Sequence, residues 1–270
     1  MDIYSLLRFS VKAGASDLHL SVNAPPIVRV HGKMQRTNLP PLTRDQLHTH
    51  IYDVMSDEQR KMFEEELELD FSRQFQGIGR FRVNVYNDIA GEAAVFRVVN
   101  EKIFSFEQLG LPEVIRKVCN QEKGLILVTG PTGSGKSTTL STMIDYINNT
   151  YNKHIISIED PIEFVHTSKL SLVNQREVGS HTVSFKSALR ASLREDPDVI
   201  LVGEMRDLDT IELAITAAET GHLVFGTLHT TGAAKTIDRL VDAFPVSQQN
   251  QIRVQISTTL ISILSQVLLS

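Results

Sequence analysis

The amino-acid sequence predicts an α/β protein of two parts, and three observations carry that prediction. Between Ser16 and about Asn100, short β-type runs surround two helical stretches; beyond residue 112, strand-like and helical runs alternate; a glycine-rich loop follows the first of those later strands. The first pattern reads as an α+β domain at 1–100, and the second as a domain at 113–270 built on a mostly parallel sheet with helices on its faces. The mixed segment EKIFSFEQLGLP, 101–112, reads as a linker.

Taken in order, MDIYSLLRFSVKAG has Asp2, Arg8 and Lys12 interrupting apolar residues at helical spacing, which suits an amphipathic helix and not a signal peptide. DLHLSV and PIVRVHG read as strands, TRDQLHTHIYDVM and SDEQRKMFEEEL as helices, and GRFRVNVY and AAVFRVV as strands again. The second part runs GLILVTG, a helix from about Lys136, HIISIED, a helix around FKSALRASLR, DVILVG, a helix after Asp207, then LVFGTL and further helix. The end, TTLISILSQVLLS, reads as an apolar helical segment with no cap or polar tail, as if partner structure belonged against it. No internal repeat or low-complexity tract interrupts the pattern.

Composition narrows the function. The chain has 270 residues, 41% hydrophobic and 22% charged, enough for two cores. A net charge of −5 supplies no basic field for nucleic acid or an anionic membrane. Cys119 is the only cysteine, which excludes an internal disulfide and a cysteine-rich zinc site and suits a reducing compartment. No apolar run reaches membrane-spanning length, so the reading is a cytoplasmic protein.

The strongest motif is GPTGSGKST: Gly130, Pro131, Thr132, Gly133, Ser134, Gly135, Lys136, Ser137 and Thr138. It fits the phosphate-loop pattern directly after an apolar strand and before a helix. Glycines let backbone N–H groups converge on phosphate oxygens, the helix terminus adds its positive dipole end, and Lys136 bridges the terminal phosphates. Ser137 then offers a hydroxyl to Mg²⁺. ATP and Mg²⁺ are the implied cofactors.

Hydrolysis further needs a base or water-orienting group and added positive charge. In DVILVGEMRD the acid beyond the strand is Glu204, a metal ligand through water or a base, or else a surface acid paired with Arg206. An aspartate usually follows such a strand directly; here Gly203 takes that place. In IEDPIEF, Glu159, Asp160 and Glu163 follow another strand, with Pro161 aiming the turn, and Glu163 is the second candidate for the base.

Arg80 and Arg82 share a face of GRFRVNV and Arg97 stands in VFRVV. They either pair with Glu64, Glu65, Glu66 or Asp70, or reach a nucleotide as arginine fingers at a domain or subunit boundary. Arg190, Arg194, Arg206 and Arg239 are further cationic candidates. His222 and His229 bracket LVFGTL with no third ligand nearby, a poor metal site. His229 is expected at the edge near the γ-phosphate, touching it or holding Glu204. His222, at the other strand end, is expected against a helix end or a neighbouring subunit, or in a local structural role.

Together ASDLHLSVNAPPIVRVHG, VTGPTGSGKSTTL, IISIEDPIEF, LREDPDVILVGEMRD and TGHLVFGTLHTT resemble, in order, the boxes of secretion-superfamily ATPases, and most nearly the type IV pilus retraction ATPases, the PilT-like twitching-motility motors. The resemblance implies a PAS-like α+β first domain, a RecA-like P-loop core and a ring of six subunits. It further implies ATP hydrolysis at the cytoplasmic side of the inner membrane, against the platform protein of the pilus machine. In that family glycine before the Walker B glutamate is habitual, and arginines matching Arg80, Arg82 and Arg97 contact nucleotide from the first domain. GEMRD and HTTG stand where extension and secretion motors read closer to GEIRD and HTND, which favours retraction; a PilU-type accessory motor is the near alternative. A DNA-translocating RecA-like motor and a non-hydrolysing nucleotide-binding regulator are the readings from other classes.

Overall fold

Side chains along a strand alternate between its two faces, and in this chain that alternation builds two separate sets of cores. The structure, a computed structural model, describes residues 1–99 and 102–268. It divides into two compact units, Met1–Glu101 and Lys102–Ser270. The domain limits read at residues 100 and 101 fall outside the described residues.

The first unit contains α1 (Ile3–Lys12), β1 (Asp17–Ser21), β2 (Ile27–Val30), β3 (Lys33–Arg36), α2 (Arg44–Tyr52), α3 (Asp57–Glu66), β4 (Glu68–Phe75), β5 (Gly79–Asp88) and β6 (Gly91–Val99). The strands form one antiparallel sheet in the order β3-β2-β1-β6-β5-β4. Phe81, Val83 and Val85 on β5 point into a core with Leu18, Leu20, Phe96 and the apolar faces of α1, α2 and α3. Thr43 with Gln46, and Ser56 with Gln59, form capping boxes that start α2 and α3 by pairing otherwise orphaned backbone groups. Strands β3 and β4 escape sequence reading because their residues are mostly polar and sit at the edges of the sheet.

The second unit contains α4 (Phe106–Leu109), α5 (Glu113–Cys119), β7 (Gly124–Thr129), α6 (Lys136–Thr150), β8 (His154–Glu159), β9 (Leu172–Glu177), α7 (Phe185–Ser192), β10 (Val199–Val202), α8 (Leu208–Glu219), β11 (Leu223–Leu228), α9 (Ala233–Asp242), α10 (Val246–Thr259) and β12 (Leu260–Ser265). Its six strands are all parallel, in the order β12-β7-β11-β10-β8-β9. Leu125, Leu127, Ile156, Ile158, Ile200 and Val202 face α7, α8, α9 and α10, while Ile126, Val128, Ile155, Val199, Leu201 and Phe225 face α6 with α4 and α5. Burial on both faces explains the unbroken apolar runs that make these strands legible. Helix α4 lies in the stretch read as a linker, and its Phe106 is buried in the core beneath α6.

The apolar end departs from its reading. Helix α10 stops at Thr259 and residues 260–265 form β12, paired in parallel with β7. Leu, Ile and Ser at these positions fit a pleated surface, and the free edge of β7 offers backbone partners that a helix would not use. After β12, Gln266 N donates to Thr129 O at 2.8 Å and its side-chain amide to Thr139 Oγ1 at 2.7 Å. Gln266 O approaches so closely that a Cβ on Gly130, whose φ is +146°, would lie 2.3 Å from it. The first residue of the phosphate loop therefore has to be glycine for steric reasons alone.

Among the described residues no helix is long and apolar enough to cross a membrane.

Candidate active site

Parallel pairing brings the C-terminal ends of β7, β8, β10 and β11 to one edge, with Val202 level with both Ile158 and Gly226, and Leu228 level with Thr129. Ligands of open α/β sheets bind beyond that edge. A cleft of about 340 Å³ lies there, lined by the phosphate loop and the start of α6, by Glu159 at the end of β8 with Asp160, Pro161 and Glu163 after it, by Gly203 and Glu204 after β10, and by Thr227 and His229 at the end of β11.

Lys136 opens α6, and its ammonium donates to Gly130 O at 2.9 Å and Pro131 O at 3.0 Å. Burial lowers its pKa, while the charges of Glu204 and Glu163 act the other way. Ser137 and Thr138 follow on the same lining.

Gly203 N donates to Ile158 O at 2.8 Å, and Thr227 Oγ1 donates to Gly203 O. A Cβ at position 203 would meet Ile158 O and Glu159 Cα, each at 3.2 Å. An aspartate directly after the strand would be tightly fitted here, since its Cβ would press the end of β8 by a few tenths of an ångström. The acid moves one residue on, to Glu204, whose two oxygens are both engaged: Oε2 with Arg206 Nη2 at 2.6 Å and Oε1 with His229 Nε2 at 3.0 Å. The Arg206 hydrogen bond lowers the Glu204 pKa, burial opposes it, and the charges of Arg206 and His229 add to the lowering. Glu204 is thus an ionised acceptor with one oxygen aimed at His229.

Glu159 is its opposite. Burial raises its carboxyl to about 7, although Ser157 Oγ at 2.7 Å and Gln175 Nε2 at 3.2 Å both donate to Oε1. A smaller cavity of about 30 Å³, room for one water, adjoins Glu159, Ser137, Phe164 and His166. The His166 ring is buried, which lowers its pKa to about 4. Neither Ser157 nor Gln175 was singled out from sequence; an uncharged residue in a strand carries no mark until the fold places it beside an acid.

The remaining sequence candidates divide between the units. His222 donates from Nδ1 to Ala217 O at 3.0 Å, at the C-terminal turn of α8 and the opposite end of β11 from His229. Arg190 and Arg239 lie on α7 and α9, Arg194 just after α7, and none of the three lines the cleft. Arg80, Arg82 and Arg97 belong to the first unit. Arg82 pairs with Asp70 at 2.5 Å and Arg97 with Asp17 at 2.8 Å. Arg29, Asp17, Arg97 and Arg82 form one register row across β2, β1, β6 and β5. Asp17, only 4% exposed at its side chain, lies between Arg29 and Arg97 and pairs with both. Arg97 and Arg82 stand directly opposite each other, a like-charge pair that destabilises a sheet, with Asp70 neutralising the Arg82 side. Burial would raise the Asp17 pKa, but the Arg97 and Ser16 hydrogen bonds lower it overall. Among the described residues no three His, Cys, Asp or Glu side chains group to hold a metal ion.

A family described as "Type II/IV secretion system protein" matches residues 2–270. The chain belongs to this family. It is 61% identical over 269 residues to the Pseudomonas aeruginosa protein named "Type IV pilus retractation ATPase PilT", covering 100% of this chain and 78% of that one. Against the "Twitching motility protein" of Neisseria gonorrhoeae it is 54% identical over 268 residues, 99% of this chain and 71% of that one. The solved structure titled "Crystal Structure of the Pilus Retraction Motor PilT and Bound ADP" superposes with a TM-score of 0.94 at 53% identity, covering 97% of this chain and 77% of that one. This secretion-family chain is an ATPase with a mixed α/β fold and a parallel core sheet.

Glu159 makes a pH prediction for this family member. Its folded pKa of about 7 lies above the ordinary 4.5, so between those values the native state holds a proton that the unfolded chain has lost. Its contribution to stability is full below the unfolded value and falls as pH rises through the window. Glu159→Gln should flatten the pH dependence of urea unfolding between about pH 4.5 and 7, and should stabilise the protein most above that window. An unchanged slope would place the Glu159 titration elsewhere.

Proposed function

We propose that this chain is the ATP-hydrolysing subunit of a homo-hexameric motor that powers type IV pilus retraction and twitching motility. It acts at the cytoplasmic side of the inner membrane, on the platform protein at the pilus base. The observation that carries the reading is the convergence of Lys136, Ser137, Glu163, Glu204 and His229 on one cleft. Support for the retraction role comes from the identity to the Pseudomonas aeruginosa and Neisseria gonorrhoeae relatives over nearly the whole chain.

In this reading the backbone of residues 130–135 receives the phosphates at the start of α6, and Lys136 turns its ammonium from the loop carbonyls to the terminal phosphates. Ser137 and Glu204 offer oxygen ligands in the same cleft, which suits Mg²⁺, held chiefly by substrate phosphates and one or two protein oxygens. Ser137 would hold it directly and Glu204 through water; when bound it neutralises phosphate charge. A water in line with the γ-phosphate gives its proton to Glu204 or to Glu163. His229, bonded to Glu204, senses the terminal phosphate and passes its presence to α9, which begins four residues later at Ala233. Arg80, Arg82 and Arg97 supply positive charge at a nucleotide from the first domain.

Lys136→Ala should abolish turnover. Glu204→Gln should keep ATP affinity within several fold while kcat falls on the order of 10² to 10⁴, and His229→Ala should behave alike. Steady-state hydrolysis beside equilibrium nucleotide binding reads both. Wild-type turnover in Glu204→Gln would assign the base to Glu163, and wild-type turnover in His229→Ala would remove the sensor.

Identical subunits meeting head to tail close a ring when the rotation closes, so native mass measurement should find six copies with nucleotide. Replacing Arg80, Arg82 and Arg97 by Ala, with Asp17→Asn to relieve the buried acid, should lower turnover on the order of 10³ in a folded protein. Normal turnover in that variant would make the arginines ion-pair partners alone.

A further inference from the structure

Glu163 sits on a stretch without regular structure between β8 and β9, yet the backbone around it is tied at every second residue. Glu177 Oε2 accepts from Ile162 N at 3.0 Å. Gln175 Nε2 donates to Phe164 O at 2.8 Å, and Gln175 Oε1 accepts from His166 N at 2.7 Å. The same Nε2 reaches Glu159 Oε1 at 3.2 Å. Residues two apart on a strand share a face, so Gln175 and Glu177 form a short row on edge strand β9, with Glu163 between the positions they hold. On the far side of the stretch, the fully buried Asn148 of α6 bonds Thr167 O at 2.8 Å and Lys169 N at 3.0 Å.

The amide of Gln175 has one possible orientation. A carbonyl, Phe164 O, needs a donor and an N–H, that of His166, needs an acceptor; reversing the amide would set like against like at both. No charged side chain could meet both demands and also donate to the Glu159 carboxyl.

We propose that Gln175 is a positioning residue for ATP hydrolysis: its amide clamps Phe164 and His166 to Glu159, and thereby sets Glu163 against the terminal phosphate. The proposal rests on Glu163 acting at the nucleotide. A displacement of about 1 Å at a reacting group costs on the order of 10²-fold in rate, so the clamp matters to kcat far more than to nucleotide affinity.

Gln175→Met removes all three bonds at similar volume. Gln175→Glu keeps the acceptor for His166 N but turns an oxygen toward Glu159 Oε1 and Phe164 O. On protonation its one hydroxyl donates again to Phe164 O or to Glu159 Oε1, so acid should restore part of what the substitution removes. The groups that bear on this titration are Glu159 of β8, Glu163 and His166 of the loop, Glu177 of β9, and Asp145 of α6 with Lys169, which act on the His166 ring. Expressing each rate relative to wild type at the same pH cancels titrations that both proteins share.

The test measures kcat and KM for ATP, affinity for a fluorescent ADP analogue, and thermal melting of the full chain at pH 6 and pH 8. The proteins compared are wild type, Gln175→Met, Gln175→Glu and Glu163→Gln. Gln175→Met should lose on the order of 10²-fold in kcat with affinity within about threefold. Gln175→Glu should match that loss at pH 8 and recover part of it at pH 6. Wild-type kcat in Gln175→Met, an equal loss of affinity and kcat, or a Gln175→Glu deficit identical at both pH values would overturn the proposal. Should Gln175→Met fail to fold, the pH response of Gln175→Glu decides. Wild-type turnover in Glu163→Gln would overturn the role of Glu163 and this proposal with it. An inactive Glu163→Gln beside an active Gln175→Met would remove the clamp alone.

Discussion

The parallel ladder through β7, β11, β10 and β8 is the constraint on which the rest of the second unit depends. Its strands are buried on both faces, so polar chemistry has nowhere to sit except the strand ends, and the shared register puts those ends on one edge. The phosphate loop, the acidic loop, Glu204 and His229 are four consequences of one arrangement. The tight spacing at that edge also restricts side chains: Gly130 yields to Gln266 O and Gly203 to the end of β8. Displacing the acid by one residue, to Glu204, puts it within reach of both Arg206 and His229.

Two carboxylates on this edge live in opposite surroundings. Glu204 has the Arg206 guanidinium on one oxygen and the His229 ring on the other and stays ionised; Glu159 is enclosed, with only neutral donors on Oε1, and keeps its proton toward neutral pH. Sites that must both accept a proton and stabilise charge are commonly built from such divergent pairs. The acidic stretch between β8 and β9 gains its order from side chains on β9 and α6, which makes edge strand β9 part of the site although it contributes no lining residue to the larger cleft.

Much of this was readable from sequence because the readable features are local. The loop between β7 and α6 is marked by its own glycines, and apolar runs such as VILV and LVFGTL reveal strands buried on both faces. The edges were not readable. Strands β3, β4 and β9 carry polar residues because one side of each lacks a partner strand, and β12 looks helical until the open edge of β7 is known. Partners distant in sequence were equally hidden: Asp17 meets Arg97 across 80 residues, and Gln175 meets Glu159 only because β9 pairs with β8. Among the acids that the sequence offers to the arginines, Arg82 takes Asp70.

The claim that this edge hydrolyses ATP is tested most directly by a crystal structure of the chain with Mg²⁺ and a non-hydrolysable ATP analogue. The account predicts the terminal phosphate within hydrogen-bond distance of Lys136 Nζ, the metal on Ser137 Oγ, and the γ-phosphate facing the Glu204–His229 pair with Glu163 beside the in-line water. A nucleotide seated elsewhere, or one whose γ-phosphate turns away from Glu163, Glu204 and His229, would contradict it.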